Sequence, residues 1–69
     1  MLWNNPRKFR SQYRGVTWHK GNAKWYARIK IGPTMVEIGY FDLELEAAKA
    51  YNLVARELHG PDARLNVFD

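Results

Sequence analysis

Side chains able to make or break bonds are few in this sequence, and their spacing argues against a reaction centre. There is no cysteine, which removes thiol nucleophiles, disulfides and finger-type zinc sites. The only histidines, His19 and His59, fall in segments of different hydrophobic period, one strand-like and one helical, so no shared metal or triad is expected. Glu44 and Glu46 form a close carboxylate pair, but residues two apart on a helix do not face each other. Both acids suit the positive end of a helix instead. No glycine-rich strand-to-helix loop is present to cradle a phosphate, and the ligand set of a His-Asn-His nuclease has no counterpart. The expectation is a protein that is not an enzyme, with no catalytic residue, no metal and no cofactor.

What the sequence does supply is positive charge, unevenly placed. The formal net charge is +4 over 69 residues. Residues 1–30 hold Arg7, Lys8, Arg10, Arg14, Lys20, Lys24, Arg28 and Lys30 with no acid, whereas all seven acidic residues lie between Glu37 and Asp69. A surface grown only for solubility has no reason to exclude carboxylates from thirty consecutive residues. Polyanions are drawn to such a segment by counterion release, which points to nucleic acid. No apolar run approaches the length of a membrane span, and the N-terminus lacks the apolar core of a signal peptide. An intracellular protein without a membrane partner is expected, nuclear in a eukaryote, otherwise in cytoplasm or nucleoid, or in the host cell if phage-encoded.

The elements that must position these cations can be read from the hydrophobic period. Residues 1–12 show none and read as a basic arm, followed by one domain over 13–69. From Tyr13 to Phe41 apolar residues recur every second position, the signature of strands with one buried face. Trp25, Ala27, Ile29 and Ile31 share one parity and Tyr26, Arg28 and Lys30 the other. Lys20-Gly21-Asn22-Ala23 and Gly32-Pro33-Thr34 supply hairpin turns on either side. The first strand sets Val16 and Trp18 inward, and the third sets Val36 and Ile38 inward with Met35 and Glu37 outward. Gly15 marks a bulge or a close backbone approach that lets Arg14 join the outward set.

From about Leu43 to His59 the period changes to three and four. Ala47, Ala48, Ala50, Tyr51, Val54, Ala55 and Leu58 define the inner stripe of one amphipathic helix. Asp42 is available as its N-cap and Gly60-Pro61 as its stop. Leu65, Val67 and Phe68 then pack on an edge of the core. Ten aromatic residues give this short chain the density a small core needs. The fold class is α+β: a three-stranded antiparallel sheet with one C-terminal helix packed on one face.

One helix covers one face of a sheet, so the other stays open. That face displays Arg14, Thr17, His19, Tyr26, Arg28, Lys30, Met35, Glu37 and Tyr40. A β-ribbon fits the DNA major groove, where Arg28 reads guanine, Lys30 reads guanine or a phosphate, and Glu37 accepts from a cytosine amino group. Thr17, Met35 and Tyr40 meet thymine methyls or phosphates. Arg7, Lys8, Arg10, Lys20 and Lys24 grip the backbone, with Tyr26 a phosphate donor or a lateral packing group. Most aromatic area falls inside or in the arm, so the open face is poor in stacking platforms and duplex DNA is favoured over single-stranded RNA. A protein-interaction domain using the same face is the alternative from another class.

Tyr13-Arg14-Gly15-Val16, Lys24-Trp25-Tyr26-Ala27-Arg28-Ile29, Ile38-Gly39-Tyr40-Phe41-Asp42, Glu46-Ala47-Ala48-Lys49-Ala50-Tyr51-Asn52 and Ala63-Arg64-Leu65-Asn66 carry a resemblance in order and spacing. Over residues 12–68 the chain resembles the DNA-binding domain of the plant ethylene-response-factor (Apetala-two) family. The resemblance implies a three-stranded sheet laid in the major groove of double-stranded DNA with a helix behind it. It places the contact set on Arg14, Gly15, Thr17, His19, Arg28, Lys30, Met35, Glu37 and Tyr40. Plant members of the ethylene-responsive group have arginine at the positions of Thr17, His19 and Met35 and tryptophan at that of Glu37, so their target does not transfer. Val16-Thr17-Trp18-His19-Lys20, the basic arm and Ala63-Arg64-Leu65-Asn66 look closer to the phage and bacterial branch appended to His-Asn-His homing nucleases. The implied roles are a transcription regulator or a nuclease-targeting module, with a fused or separate nuclease or regulatory domain as partner.

Overall fold

The computed structural model describes residues 11–68. The phosphate contacts expected of Arg7, Lys8 and Arg10 lie outside the described residues. Strands β1 (Val16–His19), β2 (Lys24–Ile31) and β3 (Thr34–Phe41) form one antiparallel sheet in that order, and helix α1 (Glu44–His59) packs on one face. This is the α+β architecture expected from the change of period.

Alternation accounts for β2 fully. Ala27 and Ile29 are buried while Arg28 and Lys30 are exposed. Val16 and Trp18 of β1 pair with Ala27 and Trp25, which keeps the same parity inward. β3 departs from alternation at one point. Ala27 pairs with Gly39 but Arg28 pairs with Glu37, so Ile38 stands as an additional residue at a bulge. Strict alternation would have put Tyr40 on the side of Val36 and Ile38; the bulge resets the parity. Tyr40 therefore pairs with Tyr26 on the open face.

The helix lies close to the sheet because its inner stripe is small. Ala47, Ala48 and Ala55 are fully buried, and Tyr51 nearly so. Two apolar groups result: Val16, Ala27, Ala47 and Ala48 with Trp25, Phe41 and Phe68 around them, and Ile29, Tyr51 and Ala55 with Val36, Val54 and Leu65. Ile38 touches both, so the bulge residue joins the two halves of the core. Trp18 meets Trp25 edge-on at 5.1 Å, and Tyr13 meets Phe68 at 5.5 Å.

Three expectations need correction. Asp42 does not cap the helix: Leu43 holds the N-cap position with extended backbone and no side-chain bond, because the Asp42 carboxylate is taken by Lys24 Nζ. Leu58 is exposed, lying in the last turn of α1 and next to Gly60, the C-cap. Val67 is exposed as well, while Leu65 and Phe68 of the tail pack against the core. Glu44 keeps its place in the first turn and does more, accepting from Ser11 Oγ at 2.6 Å and from the Gln12 amide at 3.3 Å. Ser11 Oγ in turn accepts from the Tyr13 amide.

The tail is fastened by two asparagines. Asn52 on α1 brackets the Asn66 backbone, accepting from its N–H at 2.8 Å and donating to its carbonyl at 2.9 Å. The Asn66 side chain does the same for Arg14, accepting from its N–H at 2.6 Å and donating to its carbonyl at 3.1 Å. Helix, tail and the approach to β1 are thus linked. Asn52→Ala strands two half-buried backbone groups and is expected to destabilise the domain by about 1–3 kcal/mol. A urea melt checks this; an unchanged midpoint would mean that water replaces the amide without loss.

Candidate nucleic-acid interface

The sheet face away from α1 collects the predicted residues. Arg28, Lys30, Met35, Glu37 and Tyr40 are exposed there, and Thr17, His19 and Tyr26 are half-buried among their neighbours. Cross-strand register sets Thr17 beside Tyr26, Arg28 beside Glu37, and Lys30 beside Met35. Three strands at about 4.8 Å spacing span roughly 10 Å of backbone, commensurate with a major groove about 12 Å wide.

The face divides into two zones. At the β1–β2 hairpin end, Tyr26 and Tyr40 stack at 4.9 Å with planes 23° apart. His19 stands edge-on to both, at 6.0 Å and 5.2 Å. The sequence reading placed these three rings on the open face but not their mutual packing, which depends on the β3 bulge that no residue spacing announces. They are packed on one another, and centroids 4.9 Å apart leave no room for a base between them. At the other end the tips are polar and charged: Arg28, Lys30 and Glu37, with Met35 beside them.

Individual side chains are held in defined ways. His19 Nδ1 accepts the Asn22 amide N–H at 3.1 Å, which puts the proton of a neutral ring on Nε2 and makes that nitrogen a donor. The Arg28 guanidinium lies 5.9 Å from the Tyr26 ring centroid, within reach of a cation–π contact. Tyr40 shares the open face with Glu37, the two flanking the bulge on β3. Desolvation by the neighbouring packing holds the Tyr40 phenol above its ordinary value, and the nearby Glu37 carboxylate, then Tyr26, raise it further. It keeps its proton, and its donor role, throughout the neutral range.

The expected phosphate contacts are less uniform. Lys20 is exposed in the hairpin turn, where its carbonyl accepts from Ala23. Lys24 is paired with Asp42, so part of its charge is already matched. Exposed pairs of this kind are worth little, about 0–1 kcal/mol, and a phosphate can compete for the lysine. Tyr26 is laterally packed, as its second reading had it. The Gly15 carbonyl accepts the Arg28 N–H at 2.9 Å. Arg14 is exposed, and its backbone is fixed by Asn66, a positioning role that the Ala63-Arg64-Leu65-Asn66 motif carried without disclosing.

His19 and His59 sit on different layers, one on the sheet and one at the end of α1. Among the described residues no three acidic, histidine or cysteine groups come together. No described helix is long and apolar enough to cross a membrane.

No protein-family model matches the chain. It is 38% identical over 61 residues to APETALA2-like protein 2 of Oryza sativa subsp. indica, an alignment covering 88% of this chain and 14% of the relative. Dehydration-responsive element-binding protein 2E of Oryza sativa subsp. japonica is 42% identical over 67 residues, 90% of this chain and 20% of that protein. Its homologues are plant Apetala-two/ERF-type transcription factors. A further Apetala-two/ERF relative, Dehydration-responsive element-binding protein 2D of Arabidopsis thaliana, is 42% identical over 60 residues, 80% of this chain and 27% of that protein. The chain thus spans between about a seventh and a quarter of the length of these relatives. They lend no support to the nuclease-associated branch suggested by Val16–Lys20 and the tail motif.

Proposed function

We propose that this chain is a sequence-specific double-stranded DNA-binding domain of the Apetala-two type that serves transcription regulation by laying its open sheet face in the major groove. The observation that carries this reading is the one-sided fold. All of the buried core lies between sheet and helix, while Arg28, Lys30 and Glu37 project from the opposite face. Two relatives are named for binding a response element, which supports the same reading. Arg28 and Lys30 read bases, with Arg14, Thr17, His19, Met35 and Glu37 around them. Arg7, Lys8, Arg10, Lys20 and Lys24 contact phosphates together with the Gly15 amide. A nuclear location follows if the cell is eukaryotic. The nuclease-targeting role draws no support from the relatives.

Salt dependence tests the electrostatic half of this proposal. With about five phosphates neutralised, log affinity is expected to fall against log salt with a slope of about −4 to −5. Fluorescence anisotropy on a labelled duplex measures it. A flat response, or no duplex binding at low salt, would end the proposal and leave the face to a protein partner.

A further inference from the structure

Glu37 is the only carboxylate among the described residues that β1, β2 and β3 carry, and it lies on the edge strand β3 directly across from Arg28, on the face that also carries Lys30. For a surface that only grips phosphate, an acid in that place is a liability. Its surroundings show that it is held there. Arg28 stands directly across the ladder, where paired Cβ atoms are about 4.5–5.5 Å apart, and Tyr40, turned to the same face by the bulge, lies close enough for the Glu37 charge to hold its phenol proton more firmly. The bulge at Ile38 makes this proximity possible, since without it Tyr40 would face the helix. Tyr40 is fixed in turn by its stack on Tyr26 and by the His19 ring.

An ionised carboxylate only accepts hydrogen bonds. In the major groove guanine shows two acceptors, thymine an acceptor and a methyl group, and adenine an acceptor beside its amino donor. Cytosine alone presents a donor without an adjacent acceptor of its own. An oriented carboxylate therefore discriminates in both directions, accepting from one base and repelling the acceptors of the rest.

We propose that Glu37 is the specificity-determining residue for one cytosine in the target, and that Tyr40 acts as its positioning residue rather than as a base contact. The proposal rests on the DNA-binding reading of this face. Glu37 lowers affinity for random duplex through repulsion of phosphates and recovers it only where the amino group is present. Arg28, opposite it, is suited to a guanine close by.

The test is random-pool duplex selection followed by competition binding, with wild type, Glu37→Gln, Glu37→Ala and Tyr40→Phe, each checked for wild-type circular dichroism. One position of the wild-type motif is expected to require cytosine by roughly tenfold or more. Both Glu37 variants lose that requirement, keep the remaining positions and bind random duplex more tightly. Tyr40→Phe preserves the ring stack but weakens selection at the same single position. A merely structural role for Tyr40 would weaken every position together, and that result would overturn its assignment. A wild-type motif that Glu37→Gln and Glu37→Ala leave unchanged would overturn the proposal while leaving the DNA-binding reading intact. Absence of any duplex binding would overturn both.

Discussion

Gly15→Ala is expected to unfold the domain, or to lower its stability by about 3 kcal/mol or more. Two separate costs meet at this residue. Its φ of +77° lies in the left-handed region, where an L side chain costs roughly 1–2 kcal/mol. A β-carbon there would also overlap Cδ2 and Cε2 of the Tyr51 ring and stand 2.8 Å from the Arg28 carbonyl oxygen. Tyr51 is almost fully buried between Ile29 and Ala55, so its ring has little space to yield, and overpacking of this kind costs about 1–3 kcal/mol more. A single core in a chain this short rarely supplies more than ~3–5 kcal/mol, which is why the sum is decisive. Gly32→Ala is the matched comparison. Its φ is +58°, but a β-carbon there meets nothing within 4 Å, so only the backbone term of roughly 1–2 kcal/mol is expected. Thermal melts followed by circular dichroism separate the two. A Gly15→Ala melt within a few degrees of wild type would show that the Tyr51 ring can swing aside.

Arg28→Ala is expected to cost about 1–3 kcal/mol of affinity for the selected duplex, roughly five- to 150-fold, and little on random duplex. The guanidinium is exposed, on the longest central element, and steadied over the Tyr26 ring. Its planar fork is what a bidentate guanine contact requires, so Arg28→Lys should recover the charge but not the preference. Lys24→Ala provides the contrast. It should weaken all sequences alike, and only slightly, because Asp42 already occupies the ammonium in the free protein. Competition titrations against specific and random duplexes measure both. Equal losses on the two duplexes for Arg28→Ala would assign it to the backbone instead of the bases.

The architecture was legible wherever the chain repeats a period without interruption. Trp25, Ala27, Ile29 and Ile31 declare the buried side of β2, and the alanines at 47, 48 and 55 declare the inner stripe of α1, because each pattern repeats a local geometry. Contacts that join distant segments were not. Nothing in the spacing of Asn52 and Asn66 says that one brackets the other, and Asp42 offers the same carboxylate to a helix end or to Lys24. The third strand shows the limit most clearly. Its residue types placed Tyr40 outward although strict alternation would not, and the conflict is resolved only by the additional residue at Ile38. The aromatic contacts of His19, Tyr26 and Tyr40 depend on that same slip in register.

The separation of layers also bears on how such a domain can change. Thr17, Arg28, Lys30, Met35 and Glu37 lie on the open face and belong to neither of the two apolar groups behind them. Substitutions there exchange one tip for another over an undisturbed scaffold. A combinatorial library at these five positions should remain folded and yield domains retargeted to other operators, whereas randomising the alanine stripe would yield almost none.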